Sequence, residues 1–294
     1  MINQLFGKYL VKAGMLTSDQ LERALETQKK VRVKLGLIAV TEKLMTFEQS
    51  EEVNRLQAVM DKRFGDIAID KGYLTEDQVS RLLGLQGNQY LTFAQAVTDN
   101  GFMTLKEIEN AFYDYQKVLG FTSMDMDALK SGDSDRIVPL FLPDDCDSYQ
   151  ENHLLVAVRT ILRLIDSDAY IGQASWVSSV SSKGVAYQAL NGEIDMALGI
   201  VGNEDAVLSL ADAFAHEEFD TLNLDALDSV AEFINCINGM FATRISIKLL
   251  VDMLPPVYRE ENVVLTGEKM LSLPVYINGK ELRLISVNGA ITII

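Results

Sequence analysis

Leu227-Asp228-Ser229-Val230-Ala231-Glu232-Phe233-Ile234-Asn235-Cys236-Ile237-Asn238-Gly239 changes character every three to four residues, as an amphipathic helix does. Asp228, Glu232, Asn235 and Gly239 fall at i, i+4, i+7 and i+11 and so share one helical face. Val230, Phe233, Ile234, Ile237 and Phe241 fall on the opposite side, where they would serve as core. A carboxylate and a carboxamide one turn apart are thereby projected from a rigid element, away from its packing side. An amide does not titrate, so the pair is poor as a general acid and base. It suits another task, in which the carboxylate engages a cation while the amide orients one water through hydrogen bonds.

Outward from this helix, which is expected over about 224–246, the pattern predicts a second helix over 204–215 and another over 152–165. Strands are expected near 172–180, 185–190, 195–201, 262–266, 273–277 and 281–287, separated by Ser-rich and Asn-Gly turns. Asn278-Gly279 is a hairpin signal. Long helices beside antiparallel hairpins make an α+β domain over 149–294. No Gly-rich loop joins a strand to a helix, which removes dinucleotide and P-loop readings.

These residues resemble the CheX, CheC and FliY family of chemotaxis phosphatases, in its single-site CheX type, over roughly 152–285. The family motif of Asp or Ser, then Glu, then Asn corresponds to Asp228, Glu232 and Asn235. Gly192-Glu193, Glu204-Asp205-Ala206 and Glu217-Glu218-Phe219 are similar to the family at their places in the chain, whereas Pro255 and Pro256 stand two or three residues before the family's downstream Pro. The resemblance implies hydrolysis of the aspartyl phosphate on a CheY-like response regulator. Glu232 would pair with the regulator's lysine and Asn235 would hold the attacking water, with Asp228 and Gly239 supporting the motif. Mg²⁺ would sit in the partner, with no cofactor bound by this chain. Family members often pair their sheets, which implies a homodimer.

The other half is a repeat. Segments beginning at Leu5, Lys34, Arg63 and Thr92 align without gaps at a period of 29 residues. Each opens on a large apolar residue and a small one: Phe6-Gly7, Leu35-Gly36, Phe64-Gly65 and Phe93-Ala94. Gly14, Gly72 and Gly101 occupy a tenth position where a left-handed residue ends a short helix; Lys43 is the exception. Capping boxes follow at Thr17-x-x-Gln20, Thr46-x-x-Gln49, Thr75-x-x-Gln78 and Thr104-x-x-Glu107. The expected unit is a short helix, a turn and a longer capped helix, four of which must stack over 1–120 because none buries its stripe alone.

Arg63-Phe64-Gly65 through Gly72 to Gln86 resembles the N-terminal domain of type II secretion and pilus-assembly ATPases, the MshEN type. Some members of that family bind cyclic di-GMP, which implies Arg63, Gly65, Asp66 and Gln86 as ligand-binding positions. Leu5, Lys34 and Thr92 stand where the other units would need the leading Arg, and neither an ammonium nor a methyl replaces a planar guanidinium.

Residues 121–148 read as an acidic linker, rich in Asp and holding Pro139 and Pro143, without helical or strand period. Charge divides sharply along the chain. The net charge is −16, and residues 1–120 hold 15 of the 26 Lys and Arg and 16 of the 42 Asp and Glu, so nearly all the excess lies beyond them. Such a surplus of carboxylates excludes a nucleic-acid binder. Of 294 residues, 48% are hydrophobic and 23% charged, which excludes global disorder. Two Cys and two His leave no disulfide framework and no metal cluster, and point to a reducing cytoplasm. Trp176, Cys236, His153 and His216 are taken as packing or surface residues, with Cys236 inert by burial. No apolar run is long enough to insert in a membrane. The alternative function is a non-catalytic adaptor, or a cyclic di-GMP sensor, that docks to a motility or secretion machine.

Overall fold

The computed structural model describes every residue except Asp61, Ile247 and Lys248. The chain divides into two compact units, residues 2–132 and 133–294.

In the first unit the repeat forms helix pairs: α1 Ile2–Lys12 with α2 Ser18–Gln28, α3 Leu35–Thr41 with α4 Phe47–Gln57, α5 Phe64–Asp70 with α6 Glu76–Gly84, and α7 Gln89–Asp99 with α8 Leu105–Leu119. All four capping boxes are made, each with the Thr hydroxyl accepting from the N3 backbone and the N3 side chain accepting from the Thr backbone. The turn inside each pair is left-handed, with φ of +70° at Gly14, +72° at Gly72 and +68° at Gly101, and Lys43 adopts the same conformation at 56°. A Cβ is strained there. Lys43→Gly is therefore expected to raise the unfolding free energy of this unit by on the order of 1 kcal/mol, read from the urea midpoint. A lower midpoint would contradict this account of the turn.

The glycine of each of the first three opening pairs has a steric reason. A Cβ on Gly7 would overlap Leu21, one on Gly36 would overlap the Ser50 hydroxyl, and one on Gly65 would lie 2.9 Å from Val79. Each short helix thus lies almost against the long helix that follows it. The units do not stack in an open row. Phe6 is fully buried and meets Phe112 at 5.1 Å and Tyr115 at 5.7 Å between ring centres, which packs the first unit on the fourth. Side-chain amides tie the loops between units: Gln86 donates to the Val33 carbonyl at 2.9 Å, and Gln95 accepts from the Lys34 backbone at 3.2 Å.

The expectation of an extended linker over 121–148 is corrected. Thr122 caps a further helix, α9 Ser123–Ser131, through a box with Asp125, and Met126, Ala128 and Leu129 of that helix are buried. Gly132 ends it at φ +73°. A helix α10, Ser134–Ile137, and a 3-10 turn, Val138–Phe141, follow in the second unit, with Ile137, Val138 and Phe141 buried. Three apolar anchors per short segment suffice to fold a stretch whose composition is acidic.

The second unit is α+β. Helix α11 Ser148–Leu164 precedes strands β1 Tyr170–Ile171, β2 Ser175–Gly192 and β3 Met196–Gly202. Helices α12 Glu204–Ala215 and α13 Leu224–Ile245 come next, then β4 Val251–Met253, β5 Val257–Ile277, β6 Lys280–Asn288 and β7 Thr292–Ile293. All pairings are antiparallel, in the order β1-β5-β6-β3-β2-β4, and β5 also pairs with β2. Four strands therefore curl into a ring. Val185, Val201, Leu265, Met270, Ile285 and Val287 form a buried cluster of this sheet.

Two pairs of expected strands are corrected to single long ones. The Ser-rich stretch around Ser181 is not a turn, because β2 runs 18 residues and absorbs the irregularity in register shifts at Val177/Ser179 and Lys183/Val185. Gly184, at φ +81°, occupies the second shift. Strand β5 likewise continues for 21 residues through Gly267 and Pro274. The Asn278-Gly279 hairpin forms, with φ of 49° and 78°.

Candidate functional site

Asn223 caps α13 by accepting from the Ala226 N–H at 2.9 Å. Val230, Phe233, Ile234, Ile237 and Phe241 are fully buried. On the other side Asp228 and Glu232 are exposed, and Asn235 and Gly239 are half-buried. Anchoring by five large apolar side chains makes this a stiff platform for the polar face.

Glu232 and Asn235 are brought together, the Asn235 Nδ2 donating to Glu232 Oε2 at 3.4 Å. That bond is long, so both groups remain open to a ligand. Asp228 faces another way: its negative charge, together with a hydrogen bond from the Tyr258 hydroxyl, pushes the Tyr258 pKa up. Within 4 Å and among the described residues, a Cβ on Gly239 would meet the Met253 sulfur alone, at 3.9 Å. Gly239→Ala is accordingly expected to stabilise the unit by about 0.5–1 kcal/mol in urea unfolding, since a mid-helix glycine keeps its flexibility in the unfolded chain. A loss of stability would show that the glycine meets something else.

Three residues stand behind this pair: Gln188 and Asn238, which sequence reasoning passed over, and His153, which it took as a packing or surface residue. Gln188 of β2, 1% exposed, donates from Nε2 to Asn235 Oδ1 at 2.9 Å and to the Leu254 carbonyl at 2.8 Å. Asn238, fully buried, donates from Nδ2 to Gln188 Oε1 at 2.9 Å. His153 of α11, also fully buried, places Nε2 2.7 Å from Asn238 Oδ1 and stacks on Phe241 at 4.4 Å between ring centres. Burial drives the His153 pKa down to about 4, opposed by its bond to Asn238, so the ring is neutral at neutral pH. One signal was available: Asn238 is a carboxamide inside the apolar stripe of α13. Cys236, expected to be buried, is exposed beside Asn235.

In the repeat, Arg63 and Asp66 are exposed and Gly65 is buried against Val79. Gln86 is occupied, accepting from Arg32 Nη2 at 3.2 Å while it donates to Val33. A cavity of about 410 Å³ in this unit is lined by Lys34, Phe47, Gln95, Asp99, Phe102 and neighbours, and by none of those four positions. Among the described residues no group of three or more His, Cys, Asp or Glu could hold a metal ion, and no helix is long and apolar enough to cross a membrane.

Structural neighbours of the chain are chemotaxis domains of the CheX, CheC and FliY kind, which cover about half of it. It is similar to the chemotaxis protein CheX of Desulfovibrio desulfuricans at 11% identity and a TM-score of 0.43, covering 50% of this chain and all of that one. A CheX–CheY–BeF3–Mg²⁺ complex from Borrelia burgdorferi is similar at 21% identity and a TM-score of 0.40, covering 50% of this chain and 97% of that one. Thermotoga maritima FliY follows at 15% identity and a TM-score of 0.31, covering 45% and 82%. No family model and no curated protein matches the chain. Nothing in these comparisons supports the resemblance of the repeat to secretion ATPases.

Proposed function

We propose that the second unit hydrolyses the aspartyl phosphate of a CheY-like receiver domain. The observation that carries this reading is the pairing of an exposed carboxylate with a half-buried amide on the wet face of α13, the amide oxygen being held from behind by Gln188. Neither group is arranged as a nucleophile with its base. The pair is arranged to hold things, and an acyl phosphate needs little more. Its hydrolysis is limited by the placing of one water in line with phosphorus, the task a glutamine performs in GTPases.

Glu232 receives the ammonium of the partner's lysine and fixes the orientation of the two proteins. Asn235 holds the water. As the water oxygen bonds to phosphorus, the bond from phosphorus to the aspartate oxygen breaks. The aspartate leaves as a carboxylate, and the water's hydrogens depart with the released phosphate or pass to solvent. Mg²⁺ in the partner bears the phosphoryl charge. Met240, Met253 and Leu254 are exposed apolar side chains close to this face, Leu254 through its carbonyl on Gln188 and Met253 beside Gly239, and they suit a protein partner more than a small substrate.

The test is a panel of receiver domains phosphorylated with acetyl phosphate and Mg²⁺, each followed for phosphate release with and without the full chain. Faster release from at least one receiver is expected. Unchanged release from every receiver would leave a docking protein without hydrolytic activity.

A further inference from the structure

We infer that Gln188, oriented by the Leu254 carbonyl and backed by Asn238 and His153, is the positioning residue that decides which end of the Asn235 amide faces the attacking water. The inference rests on the phosphatase reading of Glu232 and Asn235 and adds what makes that pair specific. A terminal carboxamide has two ends of nearly equal size, one donating and one accepting, and sterics barely distinguish them. An asparagine alone on a wet helix face would sample both. A water-positioning amide must present one.

The direction of the whole chain of bonds is set at one backbone atom. The Leu254 carbonyl can only accept, so the amide end of Gln188 that lies 2.8 Å from it is the NH₂ end. The second hydrogen of that NH₂ goes to Asn235 Oδ1 at 2.9 Å, which turns the Asn235 NH₂ towards Glu232 Oε2 at 3.4 Å. On the other side Gln188 Oε1 faces Asn238 Nδ2 at 2.9 Å, which turns Asn238 Oδ1 to His153 Nε2 at 2.7 Å. Asn238 Oδ1 only accepts, so the neutral ring carries its proton on Nε2. His153 Nδ1 is then the bare nitrogen, and it is buried without a partner. Reversing Gln188 would set its oxygen against the Leu254 carbonyl, reversing Asn238 would set oxygen against oxygen at Gln188, and reversing Asn235 would set NH₂ against NH₂ there, each a cost that burial makes large. Every donor from His153 to Asn235 therefore points the same way, ending on the exposed carboxylate. Asn235 Oδ1 keeps one lone pair for a hydrogen of the water.

The experiment compares Gln188→Met with the parent chain. With the receiver that responds to the parent chain, Gln188→Met is expected to lower kcat for phosphate release about tenfold while KM for the phosphorylated receiver stays within twofold. An unchanged kcat, or a loss carried by KM instead of kcat, would overturn the inference, because Gln188 is inferred to act on the water and not on docking. Should no receiver respond, the phosphatase reading fails by itself, and the positioning is read without activity from the side-chain amide resonances of Asn235. Those are expected to shift and to exchange faster with solvent in Gln188→Met; identical resonances would refute it. If Gln188→Met does not fold, His153→Phe keeps the stack on Phe241 and removes only the far donor. It is expected to perturb the same resonances, and their constancy would equally refute the inference.

Discussion

Replacing Asn235 by alanine is expected to remove about 10²-fold of the acceleration of phosphate release while leaving the protein folded and bound to its receiver. The magnitude is that of aligning one reactant, which a displacement of about an ångström forfeits. The fold survives because Asn235 is only half-buried, so water replaces it as the acceptor for Gln188. Glu232→Ala acts on a different step. The carboxylate is exposed and, among the described residues, is bonded through the long contact with Asn235, so its removal leaves α13 intact and weakens docking of a lysine-bearing partner. Phosphate release measured against receiver concentration separates the two: Asn235→Ala lowers kcat, and Glu232→Ala raises KM. Equal behaviour of the two variants would contradict the division of roles.

Phe6→Ala carries the second large effect, in the first unit. Phe6 is fully buried among Tyr9, Tyr90, Phe93, Phe112 and Tyr115, with ring centres 5.1 to 6.4 Å away. Truncating a phenylalanine in such a core costs about 3–5 kcal/mol, a large part of the 5–15 kcal/mol that holds a typical domain together. The position matters as much as the size. In an open row of repeats, damage to the first helix would fray only the end. Here α1 packs on α8, so the whole unit is expected to lose its urea midpoint in one cooperative transition. A separate early transition that spares the other three units would show that the ends do not join.

What the sequence made legible was local. The four capping boxes and the left-handed turns depend on residues three to ten apart, and each is present where its spacing placed it, including Lys43 in the conformation that glycine favours. The two faces of α13 were equally readable, because a 3.6-residue period needs no knowledge of what lies opposite. Partners distant along the chain were not. Nothing near Phe6 announces Phe112, and nothing near Asn235 announces Gln188, 47 residues earlier on a strand. The acidic stretch after residue 121 was misread for a different reason. Thr122-x-x-Asp125 is the same box with a shorter acid, and its composition hid the apolar pair Met126 and Leu129. Long strands were broken too early because Ser, Gly and Pro suggest turns, whereas β2 and β5 carry them within a continuous ladder and its register shifts.

The most direct measurement is the decay of one labelled phosphoreceiver under single-turnover conditions, with the parent chain in excess and with Asn235→Ala beside it. The account predicts decay roughly 10²-fold faster than the receiver alone for the parent chain, and close to the spontaneous rate for the variant. Decay that is equally fast with Asn235→Ala, or no faster than spontaneous with the parent chain bound, would contradict it.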